Sequence, residues 1–98
     1  MADILYLPAA SKYIKKIKDV YLKQLFRATI EQIAEGSLEG KAKTGDLSGI
    51  LGYDIYYNGV NYEIAYTIIT VNGRTVVVIL AGPRENFYDS LKRYIKTL

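Results

Sequence analysis

Two Asn-Gly dipeptides, Asn58-Gly59 and Asn72-Gly73, constrain the fold of this chain more than any other feature. A two-residue turn between antiparallel strands needs positive φ at both positions, and Asn-Gly adopts that geometry most readily. The turns separate three strand-like runs, at residues 53–57, 61–70 and 74–81. The third contains Val76-Val77-Val78-Ile79-Leu80 with no polar interruption. Such a strand is covered on both faces, so it belongs in the middle of a sheet.

Alternation assigns the faces of the other two strands. Tyr53, Ile55 and Tyr57 share one face, as do Tyr62, Ile64, Tyr66 and Ile68, which should meet helices. The opposite face carries Asp54, Tyr56, Glu63, Ala65, Thr67 and Ile69; being more polar, it is expected to face solvent.

Upstream, Ile4 to Leu7 reads as a short strand, with Pro8 opening a helix. Ala10, Tyr13, Ile14 and Ile17 form one apolar stripe, and Leu22, Leu25, Phe26, Ile30 and Ile33 form another. The stripes are out of phase at Lys18-Asp19, so two antiparallel helices, about 10–17 and 20–34, fit better than one. Asp19 is a natural N-cap for the second, and Gly36 a natural stop. Residues 36–52 hold five glycines with Lys41 and Lys43 among them and read as a long loop, a kind often functional. Phe87, Tyr88, Leu91, Tyr94, Ile95 and Leu98 mark a closing amphipathic helix, with Lys92, Arg93 and Lys96 complementing its dipole. The order β-α-α-β-β-β-α predicts an α+β fold. A four-stranded, mostly antiparallel sheet carries an N-terminal helical hairpin and a C-terminal helix, all in one domain over residues 1–98.

Composition narrows the chemistry. There is neither cysteine nor histidine among the 98 residues. Disulfides and thiolate metal sites are excluded, and no cofactor or metal is expected. Acid–base work must fall to carboxylates, tyrosines, lysines or arginines. A net charge of +3 suits a polyanion or an acidic protein. No apolar run reaches membrane-spanning length, and the stretch from Met1 to Pro8 has Asp3 and no basic segment, unlike a signal peptide. A cytoplasmic protein is the expectation.

Several segments resemble toxins of the RelE/ParE superfamily. They are Lys43-Thr44-Gly45-Asp46-Leu47-Ser48-Gly49, Tyr62-Glu63-Ile64-Ala65-Tyr66, Gly82-Pro83-Arg84-Glu85-Asn86-Phe87-Tyr88 and Leu91-Lys92-Arg93-Tyr94. The element order resembles the family over essentially the whole chain. The resemblance, with its RelE-like branch favoured, implies the toxin of a type II toxin–antitoxin pair. Its partners would be a cognate antitoxin, in a hetero-oligomeric complex, together with the ribosome and mRNA. RelE-like members cut the mRNA codon displayed in the ribosomal A site, using the RNA's own 2′-hydroxyl as nucleophile. ParE-like members share the fold but poison DNA gyrase, so fold alone does not choose between them. A toxin-fold protein that has lost catalysis and retains antitoxin binding is a third reading.

The resemblance assigns candidate residues. Arg84 matches the position that usually holds a catalytic arginine or histidine, and a guanidinium suits a phosphorane. Tyr88, four residues on, should project from the same side of the helix start, to stack or to donate a hydrogen bond. Glu63 is a departure, because RelE-like enzymes carry an arginine there. Asp54 and Tyr56 stand where such enzymes have lysines. Glu63 is therefore a candidate general base, or an exposed strand residue paired with a lysine. Lys41 and Lys43, with Asp54 and Tyr56, complete the expected RNA-facing set. Helix lysines Lys12, Lys15, Lys16 and Lys18 are further phosphate contacts or a solvated face.

Overall fold

The computed structural model describes residues 3–98; Met1 and Ala2, part of the N-terminal stretch considered above, lie outside the described residues. The chain runs β1 (Asp3–Tyr6), α1 (Pro8–Lys16), α2 (Val20–Glu35), β2 (Lys41–Ala42), β3 (Leu51–Tyr57), β4 (Val60–Ile69), β5 (Thr75–Pro83) and α3 (Phe87–Ile95). The sheet order is β1-β5-β4-β3-β2. β1 pairs parallel with β5, and the other pairings among the described residues are antiparallel. The α+β class stands, but among the described residues the sheet has five strands rather than four. The extra one is β2, inside the segment expected to be loop. It is too short to leave a hydrophobic period, and it exists because Lys41 and Ala42 pair with Gly52 and Leu51. The same segment holds a 3-10 turn at Gly45–Leu47 that buries Leu47.

Local signals produced the expected elements. Asn58 and Gly59, at φ of 54° and 80°, form the two-residue turn between Tyr57 and Val60; the second connection is longer than expected, because Ile69 pairs with Thr75 across residues 70–74, with Asn72 and Gly73 at φ 56° and 118° inside it. The Asp19 side chain caps α2, accepting from the N–H groups of Tyr21 at 3.0 Å and Leu22 at 3.3 Å. Gly36 ends that helix at φ 89°. As the apolar run required, β5 lies inside the sheet.

The sheet separates two cores. The α1–α2 hairpin covers one face, where Ile14, Phe26, Ile30, Ile64, Tyr66 and Val78 are buried. Phe26 meets Tyr13 and Tyr62 edge-to-face, with centroids 6.1 and 5.7 Å away. Tyr66, fully buried, accepts the Gly40 N–H at 2.7 Å through its hydroxyl and so fastens the segment leading into β2. On the other face, Phe87 and Leu91 of α3 pack on Ala65, Val77, Ile79 and Leu47. That face was expected to be solvated. Instead α3 and the 3-10 turn cover its middle, and its polar residues divide. Glu63 is buried; Asp54 and Tyr56, nearer the open end, are exposed.

A bulge between Ala65 and Tyr66 leaves Ile79 without a partner, so Glu63 pairs with Gly82 instead of Ala81. The bulge shifts the end of β5 by one residue, which sets where Arg84 emerges. Because Phe26 joins both helices to the sheet, Phe26→Ala should lower unfolding free energy by about 3–5 kcal/mol, read from urea denaturation.

Candidate functional site

The polar groups of the second face converge on Glu63. Its position in β4 places Asp54 of β3 opposite it on one side and Gly82 of β5 on the other. The carboxylate is only 1% exposed. A buried charge of this kind persists only when paired and hydrogen-bonded. Tyr88, in the first turn of α3, donates its hydroxyl to the Glu63 carboxylate, whose oxygens lie 2.9 and 2.8 Å away. The Lys43 ammonium, arriving from the strand-to-turn segment after β2, lies 3.4 Å from Glu63 Oε2. The same ammonium donates to the Tyr88 hydroxyl at 2.5 Å and sits 4.6 Å from the centroid of its ring.

Arg84 forms the outer layer. It emerges in the turn between β5 and α3, where its N–H continues the ladder by donating to the Asn61 carbonyl at 2.9 Å. Its guanidinium lies 3.4 Å from Asp54 Oδ2, with both side chains about half exposed, and 4.0 Å from Glu63 Oε1. The expected helix start is therefore corrected. Arg84 is not on α3, which begins at Phe87 after Asn86 turns through φ 58°. Arg84 and Tyr88 meet because both reach Glu63, not because of helical spacing.

The expectation for Glu63 is corrected in the same way. It is paired with a lysine, but in the interior and not on an exposed strand. The lysine is Lys43, separated from it by 20 residues in sequence. Asp54 holds Arg84. Lys41 is exposed on β2, and Tyr56, 74% exposed, lies two residues along β3 from Asp54. Neither Lys41 nor Tyr56 joins the cluster through a hydrogen bond or ion pair among the described residues.

Two residues of the site escaped sequence reasoning. Gly52 of β3 lies directly beneath the Lys43–Glu63 pair, and a Cβ there would overlap Glu63 Oε2 and the Lys43 side chain. A glycine within a strand signals such a close approach, but Gly52 closes a glycine-rich run whose composition reads as loop. Asn61 is the other: its Oδ1 is buried with no hydrogen-bond partner among the described residues. Nothing in its sequence context marks it.

Protonation follows from the packing. Burial pushes the Tyr88 phenol up; Lys43 opposes that shift and Glu63 reinforces it, so the hydroxyl keeps its proton at neutral pH. Burial works to lower the Lys43 ammonium, but the Tyr88 hydrogen bond and the Glu63 charge outweigh it and the net shift is upward. At neutral pH Lys43 is thus a charged ammonium and Tyr88 a neutral phenol, set among the Glu63 and Asp54 carboxyl groups and the Arg84 side chain. This is an acid–base arrangement without histidine.

The fold is that of a solved bacterial toxin. An arginine-to-alanine double mutant of the E. coli toxin RelE, in the free state, is similar over 98% of this chain and 96% of that one, with a TM-score of 0.66 and 16% identity. No curated protein matches the chain. The family model described as ParE-like toxin of type II bacterial toxin–antitoxin system matches residues 4–92, and the chain belongs to that family. The resemblance of its motifs to the RelE/ParE superfamily is borne out. The protein is a toxin of a type II toxin–antitoxin system, and an antitoxin partner follows from that membership. Among the described residues no helix is long and apolar enough to cross a membrane.

Two outcomes test the site. Gly52→Ala should separate Lys43 from Glu63 and lower the thermal midpoint, whereas the same change at exposed Gly59 should leave this cluster intact. The second concerns alkaline pH. Burial also raises the phenols of Tyr6, Tyr13 and Tyr66 above their ordinary value of 10.0. The unfolded chain then loses these protons first. The associated stability is complete below the unfolded value and lost as pH rises through the folded ones. Urea midpoints should hold up to about pH 9 and fall steadily by about pH 11.

Proposed function

We propose that this toxin arrests translation by cutting mRNA on the ribosome, with Arg84, Tyr88, Glu63 and Lys43 as its reacting groups in one domain. The observation that carries the reading is the Tyr88 hydroxyl held between a carboxylate at 2.8 Å and an ammonium at 2.5 Å, beside a half-exposed guanidinium. Cleavage by this route needs a base, a cation for the phosphorane and an acid for the leaving oxygen.

The 2′-oxygen attacks the adjacent phosphorus and gives its proton to the Tyr88 hydroxyl, as the phenol passes its own proton to Glu63. Arg84 stabilises the charged phosphorane. The bond from phosphorus to the 5′-oxygen breaks, and Lys43 protonates the departing oxygen. The products are a 2′,3′-cyclic phosphate and a 5′-hydroxyl. Proton return from Glu63 to Lys43 through Tyr88 resets the site. Asp54 positions Arg84. Tyr56 offers an exposed ring on which a codon base stacks, and Lys41 meets a phosphate.

A specific observation favours a second reading. The two cations of the cluster face two carboxylates, so its charge cancels. A neutral surface suits a protein target such as gyrase, the ParE mode of action.

Primer extension on transcripts translated in a purified ribosomal system separates the two. Codon-spaced cuts are expected. Tyr88→Phe should reduce them about 10²–10⁴-fold, and Arg84→Ala about 10²–10³-fold, with folding intact by circular dichroism. Intact mRNA together with stalled gyrase supercoiling would select the second reading. The absence of growth arrest on expression without antitoxin would leave only an inactive antitoxin-binding protein.

A further inference from the structure

The two edges of the sheet are not alike. β2 closes one side with two residues, one of them the exposed Lys41. A short edge bearing a lysine discourages pairing with a further strand. β1 closes the other side, and from Ile4 to Leu7 it carries neither a charge nor a proline. Leu5 pairs with Val77 and so shares the α3 face of the sheet, where its side chain is 53% exposed. An edge without these protections is a template for another chain.

The hydrogen bonds of β1 fix which of its groups are free. The Asp3 N–H donates to the Arg74 carbonyl at 3.0 Å, and the Leu7 N–H donates to the Val78 carbonyl at 2.9 Å. Alternation turns Leu5 the same way, toward β5, and turns the N–H and C=O groups of Ile4 and Tyr6 outward. No other described strand pairs with those four groups. An antiparallel strand centred on Leu5 satisfies all four at once. A second β1 presents the same groups in the same register, so the strand is complementary to itself about a two-fold axis through Leu5. In that pairing Ile4 faces the second copy's Tyr6. At the axis Leu5 meets its own counterpart in a non-hydrogen-bonded pair, the closer kind, and its exposed side chain is covered.

The helix behind β1 repeats this symmetry in its charges. α2 runs antiparallel to β1. Its last turn lies at the start of the strand, where Arg74 accepts from Asp3 and donates to the Ile33 carbonyl at 3.1 Å. Arg27 lies at the other end, lining a cavity together with Tyr6. Four helical residues rise about 6 Å and two strand residues about 6.6 Å. Glu31 therefore stands abreast of Ile4 as Arg27 stands abreast of Tyr6, and both charges act on the Tyr6 phenol. Both side chains are exposed, and neither forms an ion pair with a described residue. When Ile4 faces the second copy's Tyr6, Glu31 faces the second copy's Arg27, and the reverse contact follows by symmetry. We propose that this toxin pairs with a second copy of itself through antiparallel β1 strands, with Leu5 on the two-fold axis and Arg27 against Glu31 on either side of it. The charge match selects a second copy over an unrelated strand. Joining the two five-stranded sheets edge to edge keeps both α3 faces on one side, so both Glu63 clusters remain open.

Sedimentation of the purified full chain over a concentration series tests the pairing. A monomer–dimer equilibrium in about the micromolar range is expected. Leu5→Lys sets two like charges together at the axis and should leave monomer only. Arg27→Glu and Glu31→Arg should each weaken the dimer about tenfold or more. The two together should restore it, which a folding defect in either single variant would prevent. The chain has no cysteine, so Leu5→Cys introduces a single thiol. Oxidation should link it into a covalent dimer, because the α-carbons of a non-hydrogen-bonded pair lie about 4.5 Å apart, within disulfide reach. Val60→Cys, exposed at the start of β4, should not link. A monomer at every concentration, or a dimer indifferent to Leu5→Lys and to the charge exchange, overturns the proposal. If the unaltered chain stays monomeric and Leu5→Lys instead weakens capture of the cognate antitoxin, the edge belongs to that partner and the proposal fails. None of these readouts involves RNA or gyrase, so the pairing stands or falls apart from the proposed activity.

Discussion

The carboxylate of Glu63 organises the second face of this toxin. Buried without partners it would cost several kcal/mol, so the chain must bring cations and donors to it. It draws on three separate segments: Lys43 from the glycine-rich connection, Arg84 from the strand-to-helix turn and Tyr88 from the closing helix. The α3 N-terminus has no side-chain cap of its own. Its position therefore depends on Phe87 and Leu91 in the core and on Tyr88 held at Glu63. The candidate site and the attachment of the helix share one residue.

The sheet makes that sharing possible because both faces are occupied. The helical hairpin supplies the larger apolar core and leaves the opposite face to a smaller one under α3. At its open end, away from the 3-10 turn, Asp54, Tyr56 and Arg84 meet solvent. The bulge at Ile79 aligns the end of β5 with this region. The Glu63 cluster and the lysines of the helical hairpin thus lie on opposite sides of the sheet. Charge follows the same division: paired cations at the cluster and unpaired ones on the hairpin.

Much of the architecture was legible from local signals. The Asn-Gly turns, the Asp19 cap, the Gly36 stop and the uninterrupted Val76–Leu80 run each impose a conformation through nearby atoms. Strand β2 was not legible, because two residues carry no period and pair only when Gly52 arrives beside them. Among site residues, Arg84, Tyr88, Glu63, Lys43 and Asp54 were picked out by type and motif. Their mutual partners were not. Glu63 and Lys43 are too distant in sequence for any periodicity to couple them, and alternation assigns a face without saying what covers it.

By itself the sequence determined the order of the main elements, the tight Asn58-Gly59 turn, the place of the second hairpin, the central strand and the absence of histidine and cysteine chemistry. These depend on backbone preference, side-chain period and composition, which are properties of short stretches. Only the tertiary structure decided that α3 would roof the polar face, that Glu63 would be interior, and that Lys43, Arg84 and Tyr88 would share it. Burial of one charge creates a demand that residues far apart in the chain must satisfy together, and that demand exists only once the faces have closed.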